Sequence, residues 1–385
     1  MTQAPPSTPP GRRSQEAQAA QYTEGDEAQG FRSRTGYLRL VERAVETLHP
    51  AYFSLVMATG IVSIAAHLQG FYYISLPLYW FNFVAYSVLW IMTVWRAFRF
   101  PRRFFVDFTD HSLAPGFFTI VAGTGVLGSQ LVLIGEAPGI ARIFWWAAAI
   151  LGLGLIYFIF TALVVKETKP SIAKGLNGSW LVAVVAIQAV SVLGGLLSPY
   201  SGPFRESILL ASFVAWLFGG MLYIWIISMI FYRCMFFPFL PEDLTPPYWI
   251  NMGAVAISTL AGTGLIAQAD GMALLGSILP FLKGFTFLFW ATATWWIPML
   301  VILAFWRHVY KRFPLTYSPL YWGAVFPLGM YTVCTQRLAE VTALEMLTAI
   351  SRVFIVIAFS AWLSAFLGML RKIWVNILQR DGIMS

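Results

Sequence analysis

Few residues in this chain are able to do chemistry, and the scarcity is informative. Ionisable groups in or beside its apolar stretches are few, among them Lys283, Arg337, Glu340 and His67, each near one end of a stretch. Such groups in a membrane are functional candidates, although long side chains near an end also snorkel to the interface. A charge at the bilayer centre costs roughly 2.5–3.5 kcal/mol on the insertion scale, and the sequence avoids one there. No row of carboxylates forms a proton relay, no His-Glu pattern marks a metal, and no paired aspartates or Walker lysine occur. Cys234 and Cys334 are lone thiols in different apolar segments, with neither a disulfide framework nor zinc spacing. The expected chemistry is permeation with no cofactor and no metal, rather than catalysis or ATP-driven pumping. A membrane enzyme would need clustered His, Asp, Glu or Cys at one depth. A sensor scaffold would need an appended soluble domain. The sequence displays neither.

The elements that must position these residues follow from composition. Of 385 residues, 58% are hydrophobic and 11% charged, and the mean hydropathy is +0.71. A soluble domain carries roughly 25% charged residues. A chain this poor in charge covers its outside only where the solvent is lipid. The 16 Trp, 16 Tyr and 32 Phe fit the two membrane interfaces. A span needs about 20 residues at 1.5 Å each. Ten apolar stretches of that order lie near 50–68, 75–97, 112–134, 140–165, 176–197, 206–232, 248–268, 279–306, 318–338 and 347–370. Residues 1–35 read as a disordered cytoplasmic tail without an apolar leader. In 36–48, Leu38, Val41, Val45 and Leu48 share one helical face, which predicts an amphipathic helix on the membrane surface. Residues 49–372 form the transmembrane domain, and 373–385 a second cytoplasmic tail.

Basic residues cluster after every even-numbered span: Arg96, Arg99, Arg102 and Arg103, then Lys166, Lys169 and Lys174, then Arg233, then Arg307, Lys311 and Arg312. The other loops hold only Arg142, Arg205 and Arg337. The positive-inside rule places both termini in the cytoplasm, which an even number of spans requires. The net charge of +8 thus reads as orientation in the cell's inner membrane rather than as a nucleic-acid surface.

The odd-numbered spans begin alike, at Pro50-Ala-Tyr-Phe, Pro115-Gly-Phe-Phe, Gly178-Ser-Trp-Leu, Pro247-Tyr-Trp-Ile and Pro319-Leu-Tyr-Trp. A Pro, or Gly in the third copy, precedes an aromatic by two residues, and one period is one helical hairpin. Nine and ten residues past the start stand Thr59-Gly60 and Thr124-Gly125. The fifth copy keeps Gly329, the fourth has Thr263-Gly264 several residues late, and the third has Gln188. Small residues at mid-span serve helix packing or line a pore, and the pattern admits both. Five equivalent hairpins predict an all-α membrane protein with approximate five-fold symmetry. One helix of each pair would line an axis and its partner would face outward. Basic loops at one mouth, with Lys283 and Arg337 at the other, favour anions.

The stretch His49-Pro-Ala-Tyr-Phe-Ser-Leu-Val-Met-Ala-Thr-Gly60, the Val325-Phe-Pro-Leu-Gly-Met330 motif and the hairpin count carry a family resemblance. Over roughly 48–370 the chain resembles the tellurite-resistance/dicarboxylate transporter family, which includes plant slow-type anion channels, yeast malate permease and yeast sulfite efflux pump. The resemblance implies a homotrimer with one pore per subunit, lined by five inner helices kinked at Pro or Gly. It implies that Phe326 plugs the pore in mid-membrane. Pro327 supports that position, because it removes a backbone hydrogen bond and bends its helix there. The implied solutes are small anions: C4-dicarboxylates such as malate, or chloride, nitrate, sulfite and tellurite. A passive channel and a proton-coupled carrier both fit the family, and the sparse intramembrane carboxylates favour the channel.

Overall fold

The computed structural model describes residues 41–378. Among them are ten long helices and no strand: α1 (Ser54–Leu68), α2 (Tyr72–Arg99), α3 (Phe118–Leu133), α4 (Pro138–Val165), α5 (Val182–Leu197), α6 (Arg205–Phe236), α7 (Ile250–Ala267), α8 (Leu279–Phe305), α9 (Trp322–Thr342) and α10 (Met346–Leu378). Nine helical stretches are long and apolar enough to cross a membrane. The tenth, α9, has 21 residues but carries Arg337 and Glu340.

Each odd-numbered helix is entered through one 3-10 turn: Pro50–Phe53, Ala114–Phe117, Gly178–Leu181, Pro246–Trp249 and Pro319–Tyr321. Proline suits this place because its missing N–H has no partner in the first turn anyway. The third copy departs for two reasons, one local and one from a distant segment. Asn177 caps the turn by accepting from the Ser179 N–H at 2.8 Å. A Cβ on Gly178 would run into the Pro247–Tyr248 backbone, so that start must be glycine.

The odd helices form the inner layer. Their windows are 83–94% buried for α1, α3, α5 and α7, against 22–39% for the even helices. In α9, Val325 to Thr335 are all buried. Each inner helix packs on the next in the order α1, α3, α5, α7, α9, and α9 returns to α1. Each even helix packs on the inner helix of its own hairpin and also leans on the next one. That second contact carries the same device five times. Tyr86 of α2 bonds to Thr124 Oγ1 at 3.0 Å, and Trp145 of α4 donates to the Val190 carbonyl at 3.1 Å. Trp216 of α6 donates to the Ser258 carbonyl at 2.9 Å. Trp290 of α8 donates to Thr335 Oγ1 at 3.0 Å, and Trp362 of α10 to Thr59 Oγ1 at 3.0 Å. An aromatic ring buries against the partner while its polar edge finds an acceptor that lipid lacks.

The expected surface helix lies only partly within the described residues, which begin after 40. Residues 41–46 are helical, and Val45 and Leu48 are buried against the protein while Val41 is exposed. This segment is clamped by Arg99–Glu42 at 3.1 Å and Arg103–Glu46 at 3.0 Å, and Arg96 Nε donates to the Glu46 carbonyl at 3.2 Å. At the other end, α10 continues as helix to Leu378, past the expected boundary at 372.

Candidate functional site

A cavity of about 730 Å³ lies among the five inner helices and opens at their C-terminal ends. Its walls repeat in tiers. Eleven residues past the starts at Pro50, Pro115, Gly178 and Pro319 stand Ile61, Val126, Ala189 and Met330, with Ile257 completing the floor from α7. One turn outward come Ile64, Ser129, Val192, Leu260 and Val333. The next turn brings Leu68, Leu133, Leu196, Gly264 and Arg337, and the rim carries Glu136 and Glu340. Arg337 is thus a lone cation in a register otherwise filled by leucine and glycine. It pairs with Glu340 at 2.7 Å, so its charge is shared.

The wall offers almost no free hydrogen-bond donors. Ser129 donates its hydroxyl proton to the Gly125 carbonyl at 2.9 Å, and Thr263 to that of Leu260 at 2.7 Å. Both hydroxyls are spent on their own helices, as is usual for Ser and Thr in apolar surroundings. Below the floor the interior is closed. One turn deeper, the same helical stripes carry Met57, Ala122, Val185, Ala254 and Phe326, all fully buried. Phe326 is the largest of the five.

The structure divides the residues singled out from sequence. Gly125, Thr263 and Gly264 line the cavity, and a Cβ on Gly264 would meet nothing within 4 Å. Thr59, Thr124 and Gln188 instead turn away from it. The two threonines receive the aromatic donors of α10 and α2, and Gln188 Nε2 donates to the Trp216 carbonyl at 3.0 Å. Gly60 and Gly329 serve close approach. A Cβ on Gly329 would sit 2.8 Å from Ile61 Cγ2, and one on Gly125 2.8 Å from Ala189 Cβ. The same logic places Gly60 against Val126 Cγ1. Gly60, Gly125 and Gly329 therefore each let the next helix bring its floor residue inward. Lys283 is exposed on α8 and takes no part in the cavity.

Sequence reasoning missed the floor tier itself, although three of its residues, Ile61, Val126 and Met330, lie one position beyond Gly60, Gly125 and Gly329. It also missed Gly253, whose Cα faces the Pro327 ring; a Cβ there would lie 2.7 Å from Pro327 Cγ. Among the described residues no cluster of His, Cys, Asp or Glu is placed to hold a metal.

The profile of the voltage-dependent anion channel family matches residues 47–370. The chain belongs to that family. The family resemblance read from the two motifs points to the same group. A full-length relative is an uncharacterized transporter of Methanocaldococcus jannaschii, 24% identical over 345 residues, covering 88% of this chain and 98% of the relative. An uncharacterized membrane protein of Mycobacterium tuberculosis is 40% identical over 157 residues, covering 40% of this chain and 79% of the relative. A sulfite efflux pump of Arthroderma otae is 22% identical over 348 residues, covering 84% and 90%.

Proposed function

We propose that this member of the voltage-dependent anion channel family passes small anions along the axis of its five inner helices, and that Phe326 closes the path. The observation that carries the reading is the register of α9. Met330, Val333 and Arg337 line the cavity, and stepping back one turn from Met330 reaches Phe326. Pro327 follows inside the same helix, where its ring interrupts the backbone ladder and leaves the segment deformable. Gly253 gives that ring its space.

Three physical features favour anions. All five inner helices point their N-termini toward the same face, and each N-terminus carries about half a positive charge. The basic loops crowd that face, which is cytoplasmic under the positive-inside rule. Among the described residues, Arg337 is the only cation lining the cavity. The apolar wall holds no ion tightly, which suits rapid passage more than capture. Among the described residues, carboxylates line the cavity only at its rim, as Glu136 and Glu340, so a proton-coupled carrier would lack an acceptor deeper in this path. Candidate solutes are chloride, nitrate, sulfite, tellurite and C4-dicarboxylates such as malate. The assembly is a homotrimer in the cell's inner membrane, with both termini cytoplasmic.

The test is an ion-substitution flux assay on purified protein in liposomes, comparing chloride, nitrate, sulfite and malate at controlled voltage and pH. Flux that follows the anion and not the cation supports the reading. Flux that requires a proton gradient for every anion selects the carrier, and no anion flux with correctly inserted protein rejects both.

A further inference from the structure

A second cavity, of about 350 Å³, shares no lining residue with the first. It is a groove on the outer surface between α6 and α8, floored by the start of α7. Its α8 wall runs from Trp296 to Trp306. Ten residues of helix span about 15 Å, or half of a hydrocarbon core of about 30 Å. The groove is therefore about one leaflet deep. Its wall is mostly apolar, with Asn251, Tyr248 and Cys234 among its polar members. The Asn251 side chain is 1% exposed, and neither its amide oxygen nor its amide nitrogen has a hydrogen-bond partner. An unsatisfied buried amide is costly, and native folds rarely leave one without a reason.

The level of Asn251 is well defined. It stands one turn above Tyr248, whose hydroxyl meets Arg233 at the end of α6 that carries the basic loop. Arg233 pairs with Asp243 at 3.0 Å, yet its Nε is also buried without a partner. The unfilled Asn251 amide thus lines an apolar slot near its interfacial end, one turn from the tyrosine that Arg233 meets. A phospholipid has this sequence of chemistry: a charged head, then an ester carbonyl, then an acyl chain.

We propose that this groove binds one acyl chain of a membrane phospholipid from the leaflet on the side of the basic loops, with the Asn251 amide donating to the ester carbonyl. The proposal is independent of the gate assigned to Phe326. Cys234 lines the groove and is partly exposed, whereas Cys334 is fully buried, so alkylation reports on the slot. The full chain is placed in nanodiscs of ester-linked phosphatidylcholine or of its ether-linked analogue with the same chains. Labelling by a membrane-permeant maleimide should be about fivefold slower in the ester lipid, the factor that corresponds to about 1 kcal/mol. Asn251→Leu should remove the difference. Native mass spectrometry of the wild-type chain, exposed to both lipids in equal amounts, should show preferential retention of the ester lipid. Equal labelling in both lipids, or a preference that persists in Asn251→Leu, overturns the proposal. Should the variant fail to fold, the wild-type comparison of the two lipids still decides.

Discussion

At the residue scale, position along a stripe matters more than residue type. Phe326 is one of 32 phenylalanines and has no chemical mark of its own. It was legible only through the Phe-Pro motif and the family it resembles. Removing its ring should raise anion flux. Phe326→Ala in proteoliposomes is expected to conduct about tenfold more, the factor that a barrier lowered by about 1.4 kcal/mol gives. Unchanged flux with normal insertion would rule out the gate. The mid-span threonines were harder to read. A Thr on a membrane helix looks the same from sequence whether it faces a path or accepts a tryptophan N–H, because the difference lies in a distant helix. His49 supplies a second residue-scale prediction. Its Nδ1 accepts from the Ala51 N–H at 3.1 Å, which needs the neutral ring. Burial holds its pKa below the ordinary 6.5, with Asp107 opposing and Arg96 adding to the shift. The unfolded chain then takes up this proton first as the medium is acidified. The stabilising contribution is complete above about pH 6.5 and is lost as pH falls through the lower folded value. The melting temperature in detergent should drop on acidification below that point. His49→Asn, which still caps, should flatten the dependence; an equally steep profile in that variant would assign it elsewhere.

At the scale of elements, the sequence was transparent where physics is local. Spans, hairpins and the shared Pro-aromatic starts follow from apolar length and from helix-start chemistry. The third start was the exception, because Gly178 answers to Pro247 and not to its own neighbours. Gly178→Ala should accordingly destabilise the fold by about 1–3 kcal/mol, the usual cost of overpacking, read as a lower melting temperature with retained helix content. The outer-to-inner hydrogen bonds admit a sharper test. Thr59→Val, Trp362→Phe and the double variant form a cycle. The coupling is expected near 0.6 kcal/mol and not above about 1.7, as for other hydrogen bonds between membrane helices. A coupling indistinguishable from zero would mean that the contact only fills space.

At the scale of the molecule, large apolar side chains such as Trp80, Ile143, Trp225 and Ile302 stand exposed on the even helices. Lipid or neighbouring subunits must cover them. Light scattering in detergent should return the mass of three chains of 43.1 kDa each; a monomer would leave the permeation reading intact and remove the trimer. The order of the inner helices followed from reading the hairpins as five equivalent repeats, not from any single contact. Nothing local tells α9 to pack on α1.

That closing contact has a consequence for biogenesis. Thr59 and Trp362 are 303 positions apart, and Gln69 reaches Ser351 across 282. A ribosome delivers the first hairpin long before the last. Until α9 leaves the translocon, the inner layer is an open arc in which α1 lacks its second inner neighbour. Closure of the inner layer is therefore a late event of synthesis, and a chain that stops near residue 345 would still lack the α10 contacts that brace α1 from outside.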